Sequence, residues 1–373
     1  MSALPVEPER IVTTDLRWNP PAKWNVLQRF ALRFLKDPRD MIFVDTGAEI
    51  VLKVLPLAAL LFIPGVFRWW MAPIYLFYTL SRFMARYVLM LHATLHRPIF
   101  KKEYDWMNSI IAYGLGPFMG QTPTSFFSHH IGMHHIEDNQ PSDLSSTMPY
   151  RRDSFTHWLH YWARFYLMGT VHMVQYFYRT RRSKIAKKLV FGELLWLGLV
   201  LACGWVNWQA TVVVFVIPLM MFRVLCMMGN WAQHSFVDVN DSKNPYRSAS
   251  TLMNNRSNHL CYNDGYHVVH HLKPNLHWSE MPGEWERTQE EYGRQDAVVF
   301  SKLANNQAVW WCLMTGNYER LADHIVLIGP QKSRSREEVI AWLKSRTQPQ
   351  KGRIKGIFEL EGTTPVARGT QAT

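Results

Sequence analysis

Four imidazoles crowd into SHHIGMHH, residues 128–135: His129, His130, His134 and His135. Histidine is costly to bury without partners, so a cluster this dense needs water, counter-charge or a metal for its ring nitrogens. The device recurs. His92 and His96 stand at i, i+4 in LHATLH, which aims both rings from one helical face. His130, His134 and His135 read H-x-x-x-H-H, and His267, His270 and His271 read H-x-x-H-H in DGYHVVHH. Asn230 and His234 add N-x-x-x-H in GNWAQH, so nine of the 16 histidines fall in four places. A structural zinc takes four ligands and a catalytic zinc three, so one zinc leaves most of these rings idle and two metals use them.

The elements that must position these rings are apolar. Residues 47–66 (GAEIVLKVLPLAALLFIPGV), 69–91 (WWMAPIYLFYTLSRFMARYVLML), 189–206 (LVFGELLWLGLVLACGWV) and 211–229 (TVVVFVIPLMMFRVLCMMG) are each long enough to span a bilayer core as a helix. Only Arg68 lies in the first link, and the second, NWQA, is uncharged. Of 41 Lys plus Arg, seven precede the first run, 12 lie in residues 92–188 and 17 follow Gly229. By the positive-inside rule the termini and the central segment face the cytoplasm, with Trp69, Trp70, Trp205 and Trp208 at the opposite interface. The fold expected is an all-α integral membrane protein. Two transmembrane hairpins (four spans) stand under a cytoplasmic helical cap that holds the histidines.

The expected organisation is a cytoplasmic N-terminal segment over 1–46, hairpins over 47–91 and 189–229, and a cytoplasmic segment over 92–188. A cap follows over 230–330, then a basic helix and disordered tail over 331–373. SIIAYGLGPFMG, 109–120, is too short to span and reads as interfacial or re-entrant. Arg82, Arg86 and Arg223 fall inside the apolar runs, where they snorkel or meet a carboxylate. The N-terminal 21 residues mix acids, arginines and prolines, unlike a cleavable signal peptide. Cys203, Cys226, Cys261 and Cys312 show no pairing pattern, which suits a reducing compartment. The net charge of +12 tracks the membrane boundary, so nucleic acid is not an expected partner.

Imidazole suits iron, zinc, copper and nickel, and oxygen-reactive chemistry beside lipid favours iron over redox-inert zinc. The chain contains no H-E-x-x-H and no E-x-x-H, which excludes a zinc protease and a carboxylate-bridged helical-bundle di-iron protein. On these motifs the chain resembles the membrane fatty acid desaturase and hydroxylase superfamily over residues 45–285. His92 and His96 stand as box one, His130, His134 and His135 as box two, and His267, His270 and His271 as box three. Asn230 and His234 match the additional N-x-x-x-H of acyl desaturases, where the histidine binds iron and the asparagine holds an iron-bound water. The resemblance implies two irons per chain, O2 as co-substrate, a fatty acyl or alkyl lipid as substrate, and hydrogen abstraction from an unactivated C–H bond. Box two departs from the desaturase pattern: desaturases usually carry H-x-x-H-H there, whereas HIGMHH is closer to the alkane and acyl hydroxylase branch. A desaturase is the leading expectation, a hydroxylase the alternative, and a non-enzymatic membrane metal-binding protein the distant third.

Ligating histidines normally donate their second ring N–H to a carboxylate or carbonyl. Glu137, Asp138, Asp143, Asp238 and Asp264 are the nearest acids in sequence, with Asp264 kept as a site candidate. His129 is expected near the metals but outside the main ligand set. His277 and Trp278 could line the cap, while His157, His160, His172, His259 and His324 lack ligand spacing and read as structural. RTRRSKIAKK, 179–188, anchors to anionic headgroups or docks an acidic electron donor. No H-P-G-G haem motif and no G-x-G-x-x-G occur, so electrons must come from a separate ferredoxin or b-type cytochrome with its reductase.

Overall fold

The computed structural model describes residues 10–360. They divide into two compact units, each discontinuous in sequence. The first, here the hairpin unit, takes Asn19–Ser145, Leu159–Met227 and the chain from Ile354; the second, the strand unit, takes the chain up to Trp18, Ser146–Trp158 and Met228–Arg353.

In the hairpin unit the helix Met41–Phe62 precedes a helical return made of Met71–Thr79, a π-helical turn Leu80–Met84, and Ala85–His96. The two lie alongside one another, since Arg86 Nη1 reaches Glu49 Oε2 at 2.5 Å and Arg86 Nη2 reaches Thr46 Oγ1 at 3.1 Å. The later apolar run forms Ser183–Thr211, a π turn Val212–Val216, and Ile217–Gln233. It is not one straight rod. Asn207 has non-helical dihedrals (φ −157°, ψ 99°), and Arg223 Nη2 lies 3.9 Å from Glu193 Oε2. Thirty residues of uninterrupted helix would hold those two about 45 Å apart. The chain therefore folds back at Asn207, where the NWQA link was expected to turn. Both turns lie at one end of the unit: Asn207 Nδ2 donates to Leu61 O at 3.3 Å, and the Trp69 and Trp208 rings sit 5.9 Å apart.

Among the described residues, the run Ser183–Gln233 is the one helix long and apolar enough to cross a membrane on length and composition. The first expected pair carries more charge, Asp45, Glu49 and Lys53 on Met41–Phe62 and Arg82 and Arg86 on its return. Residues 109–120, expected as an interfacial or re-entrant piece, contain the π turn Ile110–Leu115 and the 3-10 turn Gly116–Met119. They end on Gly120, whose φ of +76° and 2.1 Å clearance between a built Cβ and Pro218 O admit no side chain.

The described chain is mostly helical, as expected, and the strand unit adds one short pair of strands. β1 (Ser250–Met253) pairs in parallel with β2 (Val298–Ser301), in the register Ser250 to Val298 and Met253 to Ser301. Parallel pairing needs a long crossover, and the chain between them supplies one that includes the helices His267–Leu272 and Met281–Arg294. Met253, Tyr266, Val268, Val269, Trp285 and Val299 form its core.

Residues 146–158, inside the segment expected to be one cytoplasmic piece, belong to the strand unit because Arg152 ties them there. This guanidinium is fully buried and donates to backbone carbonyls only: Ser235 (2.9 Å), Tyr150 (3.1 Å), Arg346 (2.8 Å) and Gln348 (2.5 Å) among them. The expected basic C-terminal helix forms as Arg336–Arg346, closed at its start by a Ser335–Glu338 capping box. The chain after it, part of the stretch expected to end in a disordered tail, is hydrogen-bonded over the described part. Arg152 holds Gln348, and Arg164 Nη1 donates to Gly356 O (2.6 Å) and Glu359 O (2.9 Å). The expected tail beyond 360 lies outside the described residues.

Candidate metal centre

Box one rides on the last turns of Ala85–His96, so His92 and His96 leave one face of the helix end. Box two is built differently from the α-helical i, i+4, i+5 face expected of it. Its helix changes pitch from Ser125–His129 through a π turn, His130–His134, to His135–Glu137. A π turn absorbs one residue more than an α turn, which accommodates the longer H-x-x-x-H-H spacing and stacks position i+5 over position i. His130 and His135 accordingly meet, with Nε2 atoms 3.0 Å apart, and His96 Nε2 lies 3.0 Å from the same His130 Nε2. The ligand nitrogens of His92, His96, His130 and His135 all lie within 4.8 Å of one another.

His134 turns elsewhere. Its Nδ1 donates to Asp143 Oδ2 at 2.7 Å, and that carboxylate also accepts from Ser145 N and Oγ, each at 2.8 Å. Burial opposes charge on both partners, yet the ion pair outweighs it: His134 is held above the ordinary histidine value and Asp143 well below the usual carboxylate range. His129, by contrast, is pushed down to about 4 by burial, which the more distant Asp143 only partly offsets. Its Nε2 lies 3.0 Å from Ser145 Oγ, outside the four-histidine group. Burial, with neighbouring imidazoles, also drives His130 well below its ordinary value.

A second cluster forms within the strand unit. His234 follows the helix Ile217–Gln233, one turn beyond Asn230, and its Nδ1 donates to Ser248 O at 2.8 Å. That bond fixes the tautomer and leaves Nε2 as the lone-pair nitrogen. His267 and His271 share a face of His267–Leu272; His267 Nε2 lies 3.1 Å from both His234 Nε2 and His271 Nε2. His270, buried on the same short helix, stacks on His267 with ring centroids 5.8 Å apart. Gly265 allows this helix to start where it does: Leu252 N donates to Gly265 O at 2.7 Å, and an added Cβ would sit 2.1 Å from Leu252 O.

The donor sets fit a metal. An imidazole nitrogen has one proton or one lone pair, yet His130 Nε2 and His267 Nε2 each face two equally close nitrogens. A shared cation satisfies all of them.

Of the acids nearest the boxes in sequence, Asp143 is bonded to a box histidine, His134. Glu137 accepts from Tyr176 Oη (2.6 Å), Asp238 lies 3.5 Å from Arg247 Nη1, and Asp264 accepts from Gln233 Nε2 (3.1 Å). His277 caps the turn Trp278–Glu280 through Ser279 N. The sequence reading missed Asp15. This buried carboxylate from the N-terminal segment accepts from Asn254 N (2.6 Å), Asn255 N (3.2 Å) and Tyr266 Oη (2.6 Å). Tyr266 immediately precedes His267, so Asp15 grips the root of box three. An apolar pocket of about 50 Å³ adjoins box two in the hairpin unit, with Phe126, His129, Phe165, Met173, Phe222 and Met227 in its wall. Phe126 stacks on His130 at 5.3 Å.

A family model described as Fatty acid desaturase matches residues 67–302, a stretch that contains all nine histidines and Asn230. Neither a curated protein nor a solved structure matches the chain.

Proposed function

Because the chain belongs to the fatty acid desaturase family, we propose that it is a membrane-embedded oxidoreductase that removes hydrogen from a fatty acyl lipid and leaves a double bond. The observation that carries this reading is the pair of histidine clusters, each built around one nitrogen with two neighbours at 3.0–3.1 Å. In this reading His92, His96, His130 and His135 hold one iron and His234, His267 and His271 a second. His134 and His270 serve as further ligands, and Asn230 orients a water. Two irons there would supply O2 reduction and abstraction of hydrogen from an unactivated C–H bond. The protein supplies the rest. Asp143 and Ser248 O hold the Nδ1 protons of His134 and His234, which keeps each Nε2 available as a donor. The apolar wall around Phe126 lies beside box two, where the positioning of an alkyl chain governs the outcome.

Both folded-back helix pairs are assigned as transmembrane hairpins, with the termini and the histidines on the cytoplasmic side. The basic asymmetry supports this, as do the tryptophans gathered at the turns. Electrons come from a separate ferredoxin or cytochrome. The π turn in box two favours the second reading, hydroxylation, since it serves the longer hydroxylase-like spacing. A membrane metal transporter fits less well, because its histidines belong at the midplane of spans rather than at their ends.

Expression in a host with a competent reductase, followed by mass spectrometry of its lipids, separates these readings. Loss of two hydrogens from an acyl chain supports desaturation, and gain of one oxygen supports hydroxylation. Unchanged lipids contradict both.

A further inference from the structure

Ahead of the first long helix, the hairpin unit exposes an apolar patch that nothing in the proposed reaction uses. The short helix Val26–Ala31, started by an Asn25–Gln28 capping box, turns Val26, Leu27 and Phe30 outward at 70%, 78% and 56% exposure. Trp106, on the turn Lys102–Met107, is 67% exposed. Such side chains are not loose ends. Phe30 packs edge-on to Phe34 (5.2 Å) and Phe34 to Tyr104 (4.8 Å), while Lys101 N donates to Phe34 O (2.8 Å) and Lys36 N to Ile99 O (2.9 Å). Gln28 Nε2 donates to Asp45 Oδ2 (3.1 Å), which links the platform to the first long helix. The segment is thus a rigid shelf beside the start of Met41–Phe62 and the end of Ala85–His96.

Its charge identifies the occupant. Lys23, Arg29, Arg33, Lys36, Lys101 and Lys102 are all exposed around the shelf and outnumber its exposed acids, Asp45, Glu103 and Asp105. A second copy docked face to face would set these cations against themselves. A surface of anionic headgroups over acyl chains complements both the cations and the apolar side chains. We propose that this shelf is a docking surface for anionic lipid. Val26, Leu27, Phe30 and Trp106 enter the bilayer interface, and the surrounding cations hold phosphate headgroups. The inference rests on the membrane reading above and adds lipid selectivity to it.

The test is a nitroxide label at Leu27→Cys in the full chain, with half-buried Cys203 and Cys226 replaced by alanine; Cys261 and Cys312 are buried. A label at Leu201→Cys, in the apolar run, serves as the control. Each protein is reconstituted in phosphatidylcholine vesicles with and without phosphatidylglycerol. Collision of the label with O2 is then compared with collision with a water-soluble nickel complex. Both labels should favour O2, at Leu27 by about threefold or more with phosphatidylglycerol and by less without it. Arg29→Glu with Arg33→Glu should abolish that lipid dependence. Leu27 in water while Leu201 remains in lipid overturns the docking surface and leaves the membrane reading standing. Leu201 in water overturns both. A Leu27 label shielded from both reagents places protein on the shelf and overturns the lipid assignment.

Discussion

The two histidine clusters reach the same local geometry by different supports. In the hairpin unit, nitrogens come from the end of an apolar helix and from a π turn; in the strand unit, they come from a short helix and the residue after a long one. In the first region a buried carboxylate, Asp143, is bonded directly to His134, a further candidate ligand outside the four-histidine group. The second relies on a backbone carbonyl, Ser248 O, and on Asp15, which acts through Tyr266. A carboxylate on the ring raises its basicity as well as orienting it, whereas a carbonyl orients without adding charge. The clusters should therefore fail differently when their supports are removed.

The largest effect should come from the nitrogens with two close neighbours. His130→Ala and His267→Ala should each abolish lipid modification, while the protein still enters the membrane fraction. Full activity in either variant would remove that cluster from the site. Asp143→Asn should weaken metal binding by about 10- to 100-fold, as titration of metal into apoprotein would show. Asp15→Ala leaves Tyr266 Oη and two amides without their acceptor, at a cost of about 1–3 kcal/mol. It should lower the thermal stability of the strand unit and its metal content first. Equal loss from both clusters would break the proposed division.

A pH comparison isolates His129. Its ring is held neutral down to about 4, whereas in an unfolded chain it protonates near 6.5. Below 6.5 the unfolded state binds more protons, so metal-free protein should lose stability as pH falls from 6.5 towards 4, by up to about 1.4 kcal/mol per unit. His129→Gln keeps a partner for Ser145 and should flatten that slope. His134, shifted the other way, stays in both proteins and cancels from the comparison. Smallest of all, His324→Ala, at a half-buried position whose ring Nδ1 donates to Arg320 O one turn back, should change stability by less than about 0.5 kcal/mol.

The histidine boxes were legible because ligand spacing along a helix is a local property, and so was the fold-back at Asn207, where apolar runs give way to NWQA. Other features rest on information that local pattern does not carry. Asp143 looked no different from Glu137 or Asp138 until the loop brought it onto His134. Asp15 meets Tyr266 across 251 positions, and no periodicity announces that. The π turn was hidden by the assumption of α pitch, and STLM and VVFS are too short to stand out as strands. The ordered chain after 347 is held through its own carbonyls by Arg152 and Arg164, and carbonyls belong to every residue alike.

Elemental analysis of purified, anaerobically iron-loaded protein tests the central claim most directly, with wild type measured beside His267→Ala and His130→Ala. The account predicts close to two irons per chain in the wild type and about one fewer in each variant. Wild type that retains no stoichiometric iron, or variants that retain the full complement, would contradict it.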